Sequence, residues 1–456
     1  MRAVADGAYA NLALPGALRA ARLGGRDAAF ATELTYGAIR LRGRYDPIIA
    51  VAAARGLDAI DPAVLDTLRL GVHQLLGMRV PPHAATAETV GLARAVNGIG
   101  AAGFVNAVLR RVGERDLDSW LAELAPQDPI ARAAFVHSHP AWVVTAVRAA
   151  LLGHQLATVD TVEGELEAAL RADNDPAAVS LVARPGLVEV AELLAAGAGA
   201  PRWAPTAASL PGGDPGAIPA VRQGRAAVQD EGSQLVALAL AAVPVEAVPA
   251  GRAERWLDLC AGPGGKAGLL GALAVQRGAD LIANEVSPHR AELVRRTLAA
   301  VSAAAGTAGS TVDVRVGDGR EIGAAEPHGY DRVLVDAPCT GLGALRRRPE
   351  ARWRRQPSDV PTLARLQREL LASALDAVRP GGVVAYVTCS PHLAETRFVV
   401  SDVVKKRADV ELLDAATHVV DGAGSPLPRT GAAPYVQLWP HLHGTDAMFL
   451  ALLRRT

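Results

Sequence analysis

Apolar positions change their period along this chain, and the changes divide it. Up to about residue 145 they recur every three to four residues, the spacing of one helix face. Asp61-Pro62 opens the clearest case, with an N-cap acid and a proline at the first helical position. Val64, Leu65, Leu68, Val72, Leu75 and Leu76 then follow at helical intervals. Thr86 to Ala95 and Ala102 to Val112 repeat the pattern, and strand-like alternation is absent. His137-Ser138-His139-Pro140 breaks it, with a further helix beyond.

From about Ala177 the texture shifts to short β-like runs such as Val179 to Ala183, with Gly/Pro-rich loops between Pro201 and Pro219. From about Arg225 strands and helices alternate. Arg255–Leu259, Ala279–Glu285, Thr311–Val316, Arg332–Asp336 and Val383–Cys389 read as strands. Ser287–Ala300 and Pro361–Val378 read as helices, and Ala299 to Gly309 as a loop extension. Such alternation predicts a doubly wound parallel sheet. The expected organisation is an all-α domain over 1–145, a small α/β connecting subdomain over 146–222, and a Rossmann-like α/β domain over 223–456.

Composition narrows the picture. The chain has 456 residues, half of them apolar, so a packed core of more than one domain is expected. Lys plus Arg and Asp plus Glu each number 47, which excludes a uniformly basic coat but not a local basic patch. Three cysteines cannot build a disulfide framework, so a reducing cytoplasm is expected. No signal core and no uncharged apolar run of membrane length is present, so no membrane partner is expected. The histidines lack Cys or acid partners at ligand spacing, so no metal site is expected.

All three cysteines fall in motifs. Leu257-Asp258-Leu259-Cys260-Ala261-Gly262-Pro263-Gly264-Gly265-Lys266 is a strand followed by a glycine-rich turn. In that geometry backbone N–H groups face a ligand. Its spacing is not that of a dinucleotide fingerprint. Glu285, Asp318 and Asp336 end the next three strands, and each alone would also serve as a helix cap. Together they suit a ribose-bearing ligand with a cationic centre better than a polyphosphate. Asp336-Ala337-Pro338-Cys339-Thr340 and Thr388-Cys389-Ser390 place two thiols at strand ends facing the same crevice. A free cysteine is most often a small buried hydrophobe. A thiolate can also add to carbon 6 of cytosine and make carbon 5 nucleophilic, with an acid assisting at ring nitrogen 3. Spacing alone does not tell Cys389 from Cys339.

At these residues the chain resembles the RNA cytosine-C5 methyltransferases of the Nop/Sun type. The matches, in order, are Asp258 to Lys266, Gly317 to Arg320, Asp336 to Thr340 and Thr388 to Ser390. Val228 to Gln234 and His443 to Phe449 resemble the family's flanking segments. The resemblance implies that Cys389 is the nucleophile, that Cys339 assists release of the methylated RNA, and that Asp336 contacts base and cofactor. It implies that Cys260, Ala261, Gly262, Pro263, Gly264, Gly265 and Lys266, with Glu285, Asp318 and Asp336, hold S-adenosylmethionine. Gly262 and Ala267 stand where Ala and Thr are commoner, and Glu285 where Asp is usual.

The N-terminal half carries a second resemblance. Leu68 to Gly71, Val80 to Ala84 and Gly103 to Arg111 are similar to the RNA-binding domain of the antitermination factor NusB. That fusion is the arrangement of the small-subunit ribosomal RNA cytosine-C5 methyltransferase B family. The implied partner is small-subunit ribosomal RNA or its assembly intermediate, and the implied state a monomer. The first helix is short at its start, so further residues before Met1 are expected. Arg346, Arg347, Arg348, Arg352 and Trp353 form a basic run with an interleaved aromatic just after Cys339, an expected RNA-binding strip. Arg110 and Arg111 offer a second footprint. Alternatives are methylation of another RNA, such as transfer RNA, and a non-catalytic RNA-binding assembly or antitermination factor.

Overall fold

The computed structural model describes residues 1–248 and 251–456. They form two compact units. One comprises Met1–Thr145, Leu166–Pro176 and Leu345–Arg355; the other comprises Ala146–Glu165, Ala177–Ala344 and Gln356–Thr456. Among the described residues, no helix is long and apolar enough to cross a membrane.

The first unit is helical. Asp61 caps Pro62–Leu76 as its position predicts, accepting from the N–H groups of Ala63 at 2.8 Å and Val64 at 3.3 Å. Leu68 and Val72 of that helix, Ile48 of Arg42–Ala53, and Val105 and Leu109 of Ile99–Val112 share one core. A side chain at Gly71 would strike Leu109 and Thr89, so glycine sets the close approach there.

The run from Leu345 to Arg355 belongs to this unit, and it corrects the expected RNA-binding strip. Arg352 is fully buried, as a strut of the helical fold. Its guanidinium donates to the carbonyls of Ser138 and Asp173, both at 3.0 Å, and to Asn174 Oδ1 at 2.8 Å. Arg346 is buried too, its carbonyl accepting from Arg40. The Trp353 indole donates to Ile39 O at 2.9 Å and lies under the Arg42 guanidinium. Carbonyls left over at helix ends and turns need donors, and these side chains supply them. Arg348 is exposed and Arg347 half-buried.

The second unit carries two sheets. Val179–Ala183 (β1), Ala207–Leu210 (β2) and Ala226–Val228 (β3) make a small antiparallel sheet in the order β2-β1-β3. The large sheet is built from Arg255–Asp258 (β4), Asp280–Glu285 (β5), Val312–Val316 (β6), Tyr330–Asp336 (β7), Val378–Thr388 (β8), Val410–Leu413 (β9), Val436–Gln437 (β10) and Phe449–Arg455 (β11). Its order is β10-β11-β8-β7-β4-β5-β6, with β9 also paired to β11. Strands β4 to β8 are parallel, whereas β11 runs antiparallel to β8, β9 and β10, so the sheet is mixed rather than wholly parallel.

Alternate residues of the central strands feed two different cores. Leu334, Val383, Ala385, Val387, Leu450 and Leu452 enter one. Val333, Val335, Val384, Tyr386, Phe449, Ala451 and Leu453 enter the other. A strand covered on both faces reads as an unbroken apolar run, as these do. The expected loop extension at Ala299 to Gly309 is instead the last turns of one helix, Pro288–Ala308. Alanines continue the helix at little entropic cost, and Gly309 ends it in the left-handed region at φ 77°.

Because Arg352 is a buried donor to several acceptors, Arg352→Ala should lower the stability of the helical unit by about 3 kcal/mol. Arg348→Ala should change it by less than about 0.5 kcal/mol. Urea unfolding followed by circular dichroism checks both.

Candidate active site

Strand order reverses around β4, which has β5 on one side and β7 on the other. Doubly wound sheets bind ligands at that switch point, beyond the carboxyl ends of the strands. Every site residue predicted on the strand ends and the glycine turn lies there. Asp258 ends β4, Glu285 ends β5, Asp336 ends β7 and Cys389 follows β8.

The turn after β4 is pinned from below. Leu259 N donates to Leu334 O at 2.9 Å and Ala261 N to Asn284 O at 2.8 Å. The buried Asn284 amide joins Leu259 O at 3.0 Å to Gly317 O at 3.1 Å. Gly264 adopts φ 112° as N-cap of Gly265–Gln276, a conformation that favours glycine. A Cβ on Gly265 would meet nothing within 4 Å, so the turn opens onto space there. Lys266, at the start of that helix, pairs with Asp336 Oδ2 at 2.8 Å.

Gly262 explains two departures at once. Its N–H donates to Glu285 Oε2 at 3.0 Å, and its carbonyl accepts from Arg290 Nη2 at 2.6 Å. Arg290 also pairs with Glu285 at 3.3 Å. A Cβ at position 262 would lie 2.2 Å from Glu285 Oε2. The longer acid therefore occupies the space that the missing methyl leaves, and the two unusual residues compensate for one another.

Carboxylates outnumber cations at the crevice. Asp258 is fully buried, and among the described residues neither of its oxygens accepts a hydrogen bond. Burial and the charge of Asp336 raise its pKa to about 8, against the pull of Lys266 and of the Cys260 backbone N–H. Burial opposes a charge on Lys266, but Asp336, Cys389 and Asp258 outweigh it, so the ammonium persists. Asp318 accepts from the Arg320 guanidinium at 2.6 Å and from its backbone N–H at 3.0 Å, bonds that hold its carboxyl below the usual range.

The two remaining thiols meet. Cys339 Sγ and Cys389 Sγ are 3.4 Å apart, both partly exposed. The bond to Cys389, then burial, then the negative groups around it push Cys339 far above the ordinary thiol range, so it keeps its proton. Burial and the surrounding carboxylates do the same for Cys260, which remains an inert thiol in the turn. The arrangement offers two thiols in hydrogen-bond contact, with the Lys266 ammonium acting on Cys389.

Comparison with known proteins agrees with this geometry. A family model described as 16S rRNA methyltransferase RsmB/F matches residues 247–454, and a NusB family model matches residues 2–114. "Putative methyltransferase Rv1407" of Mycobacterium tuberculosis is 53% identical over all of this chain and 94% of its own length. The ribosomal RNA small subunit methyltransferase B of Cronobacter sakazakii is 31% identical over 94% of this chain and 90% of its own. The chain belongs to the RsmB/F methyltransferase family. The crystal structure of PH0851 shares the fold, with a TM-score of 0.75, 21% identity, and coverage of 97% of this chain and 93% of the other.

RsmB/F enzymes use S-adenosylmethionine. The residues here fit it: an orphaned buried carboxylate and two neighbouring acids suit a cationic ligand, and the open face of Gly265 leaves room for one. Among the described residues no group of three or more His, Cys, Asp or Glu could hold a metal. Sequence reasoning passed over Asp258 as a titrating group, Arg290 beside Glu285, and Glu395. Glu395 accepts from the residue that follows each paired cysteine. Adjacency in the motifs could have pointed to Thr340 and Ser390. Nothing local marks Glu395 or Gln367.

Two outcomes follow. Gly262→Ala should cost about 1–3 kcal/mol in urea unfolding by overpacking, and adding Glu285→Asp should recover most of it. For Asp258, the native state keeps a proton that the unfolded chain releases near pH 4, so native stability falls as pH rises from about 4 to about 8. Asp258→Asn lacks this titration. Its stability relative to the parent should therefore be greater at about pH 8.5 than at about pH 5.5 in urea titrations.

Proposed function

We propose that this protein methylates carbon 5 of a cytosine in 16S ribosomal RNA through a covalent bond to Cys389. The observation that carries the reading is the pair of thiols 3.4 Å apart beside the Lys266–Asp336 ion pair.

Cys339 holds its proton and offers it to Cys389, while the Lys266 ammonium favours negative charge on Cys389. Both effects favour Cys389 over Cys339 as the nucleophile. Its sulfur bonds to carbon 6 of the base, and the electron pair of the carbon 5–carbon 6 double bond moves toward carbon 5. Asp336, with one oxygen held by Lys266, would face ring nitrogen 3 and, on taking up a proton, would assist that addition by donating it there. When bound, S-adenosylmethionine supplies the electrophilic methyl group. A solvent water then takes the carbon 5 proton, the electron pair left behind reforms the carbon 5–carbon 6 double bond and expels Cys389 as a thiolate, and the Cys339 S–H, donating to that sulfur, assists release of the RNA. The turn from Cys260 to Lys266, with Glu285, Asp318 and Asp336, would hold the cofactor, and Asp258 would join them as a buried acid.

The helical residues 1–145 would bind RNA, with Arg110 and Arg111, both exposed, as one contact and Arg347 and Arg348 as another. The base would be flipped or presented in a loop to reach the thiols. A monomer acting in the cytoplasm on naked RNA or an assembly intermediate accords with this reading.

Methyl transfer from labelled S-adenosylmethionine to naked 16S ribosomal RNA, with bisulfite mapping, tests it. One 5-methylcytosine at a single position is expected. Transfer only to transfer RNA would move the substrate, and RNA binding without transfer to any RNA would favour an assembly factor. Cys389→Ala should abolish turnover, and full activity in that variant would refute the nucleophile. Cys339→Ala should accumulate a protein–RNA adduct, seen as a slow-migrating band on a denaturing gel.

A further inference from the structure

Glu395 lies in the short turn Leu393–Glu395 after the second cysteine motif, and its side chain is fully buried. Its Oε1 accepts from Thr340 N at 2.7 Å and Gln367 Nε2 at 3.3 Å. Its Oε2 accepts from the Thr340 hydroxyl and from Ser390 Oγ at 2.7 Å. Gln367 Nε2 also donates to Pro338 O at 2.8 Å. The residues on either side of Cys339, and the one after Cys389, are thus tied to one carboxylate. Tyr386 OH donates to the Glu395 carbonyl at 2.7 Å and anchors the turn to β8.

Among the described residues no lysine or arginine pairs with Glu395. Burying a carboxylate without a cation is costly, and neutral donors must compensate it. An ionised carboxylate only accepts, so it makes both hydroxyls donate and fixes their rotation. The two cysteine loops differ in their other supports. Cys389 directly follows β8, and its carbonyl accepts from Gly343 N at 2.9 Å. Cys339 lies three residues beyond β7, so its place depends more on Glu395 and Gln367.

We propose that Glu395 is a positioning residue for the paired thiols: one buried carboxylate that holds Cys339 within reach of Cys389. The purpose assigned to it, release of the RNA by Cys339, rests on the function proposed above. The geometry can be tested without RNA. The full-length protein is treated with diamide, whose N=N bond takes up two hydrogens as Cys339 and Cys389 are oxidised to a disulfide. Closure is followed by mass spectrometry after alkylation, and each rate is normalised to the thiols' rates with iodoacetamide alone. Thr340→Val and Glu395→Ala should slow closure by at least about tenfold, with S-adenosylmethionine affinity by calorimetry within about twofold of the parent. Glu395→Gln should stay within about threefold, because its carbonyl still accepts from Thr340 N and its amide can donate to the hydroxyls. Parental closure rates in Thr340→Val and Glu395→Ala would overturn the proposal. If Glu395→Ala does not fold, Thr340→Val and Ser390→Ala decide it. On 16S ribosomal RNA, Thr340→Val should accumulate the covalent adduct with KM unchanged, and slowed closure without adduct would overturn the role in release. Absence of methyl transfer by the parent protein would sink the proposed function, while the diamide result would still judge the clamp.

Discussion

Parallel pairing of β7 with β8 is the constraint on which the site depends. Asp336 sits opposite Val387, so both strands end at nearly the same height. Cys339 and Cys389, 50 positions apart in the chain, then meet across two short loops. A slip of one residue would turn alternate side chains to the other face. Tyr386 and Val387 would exchange cores, and the two thiols would separate. Packing on both faces of the sheet makes that slip expensive, so the apolar core sets the reactive geometry.

Electrostatics is arranged on this frame with few charges. Acids end β4, β5 and β7; Lys266 is held against Asp336 and Arg290 against Glu285. Burial, with the neighbouring carboxylates, leaves Asp258 protonated near neutral pH and Cys260 a thiol, and the bond to Cys389, with burial, does the same for Cys339. A buried carboxyl whose oxygens accept no hydrogen bond, as at Asp258, is unfavourable on its own. A cationic ligand would relieve it, which is how these residues suit S-adenosylmethionine. Glu395 applies the same logic beneath the thiols, where hydrogen-bond donors rather than a cation offset a buried charge.

The arginines after Cys339 show why a charge run is ambiguous. Sequence reports that guanidinium groups are near one another, not whether water or carbonyls surround them. In the fold Arg352 and Trp353 fill the donor needs of helix ends and turns from residue 39 to residue 174. Such long-range satisfaction has no local signature, and it leaves a smaller exposed set, Arg348 foremost, for solvent.

The sequence by itself determined the helical half, the alternating half, the glycine turn and the motifs that carry the acids and cysteines. Those features are local: period, caps, turn residues and motif order act within a few positions. Even so, an alanine-rich stretch was legible as a loop when it continues a helix, because alanine and glycine propensities compete there without packing to decide. Tertiary structure alone decided that β11 closes the sheet antiparallel and that Gly262 and Glu285 compensate for one another. It alone decided that the two thiols meet, and that Glu395 binds both cysteine loops. Each of these depends on residues brought together from distant parts of the chain, where distance and burial, not spacing, set the energy.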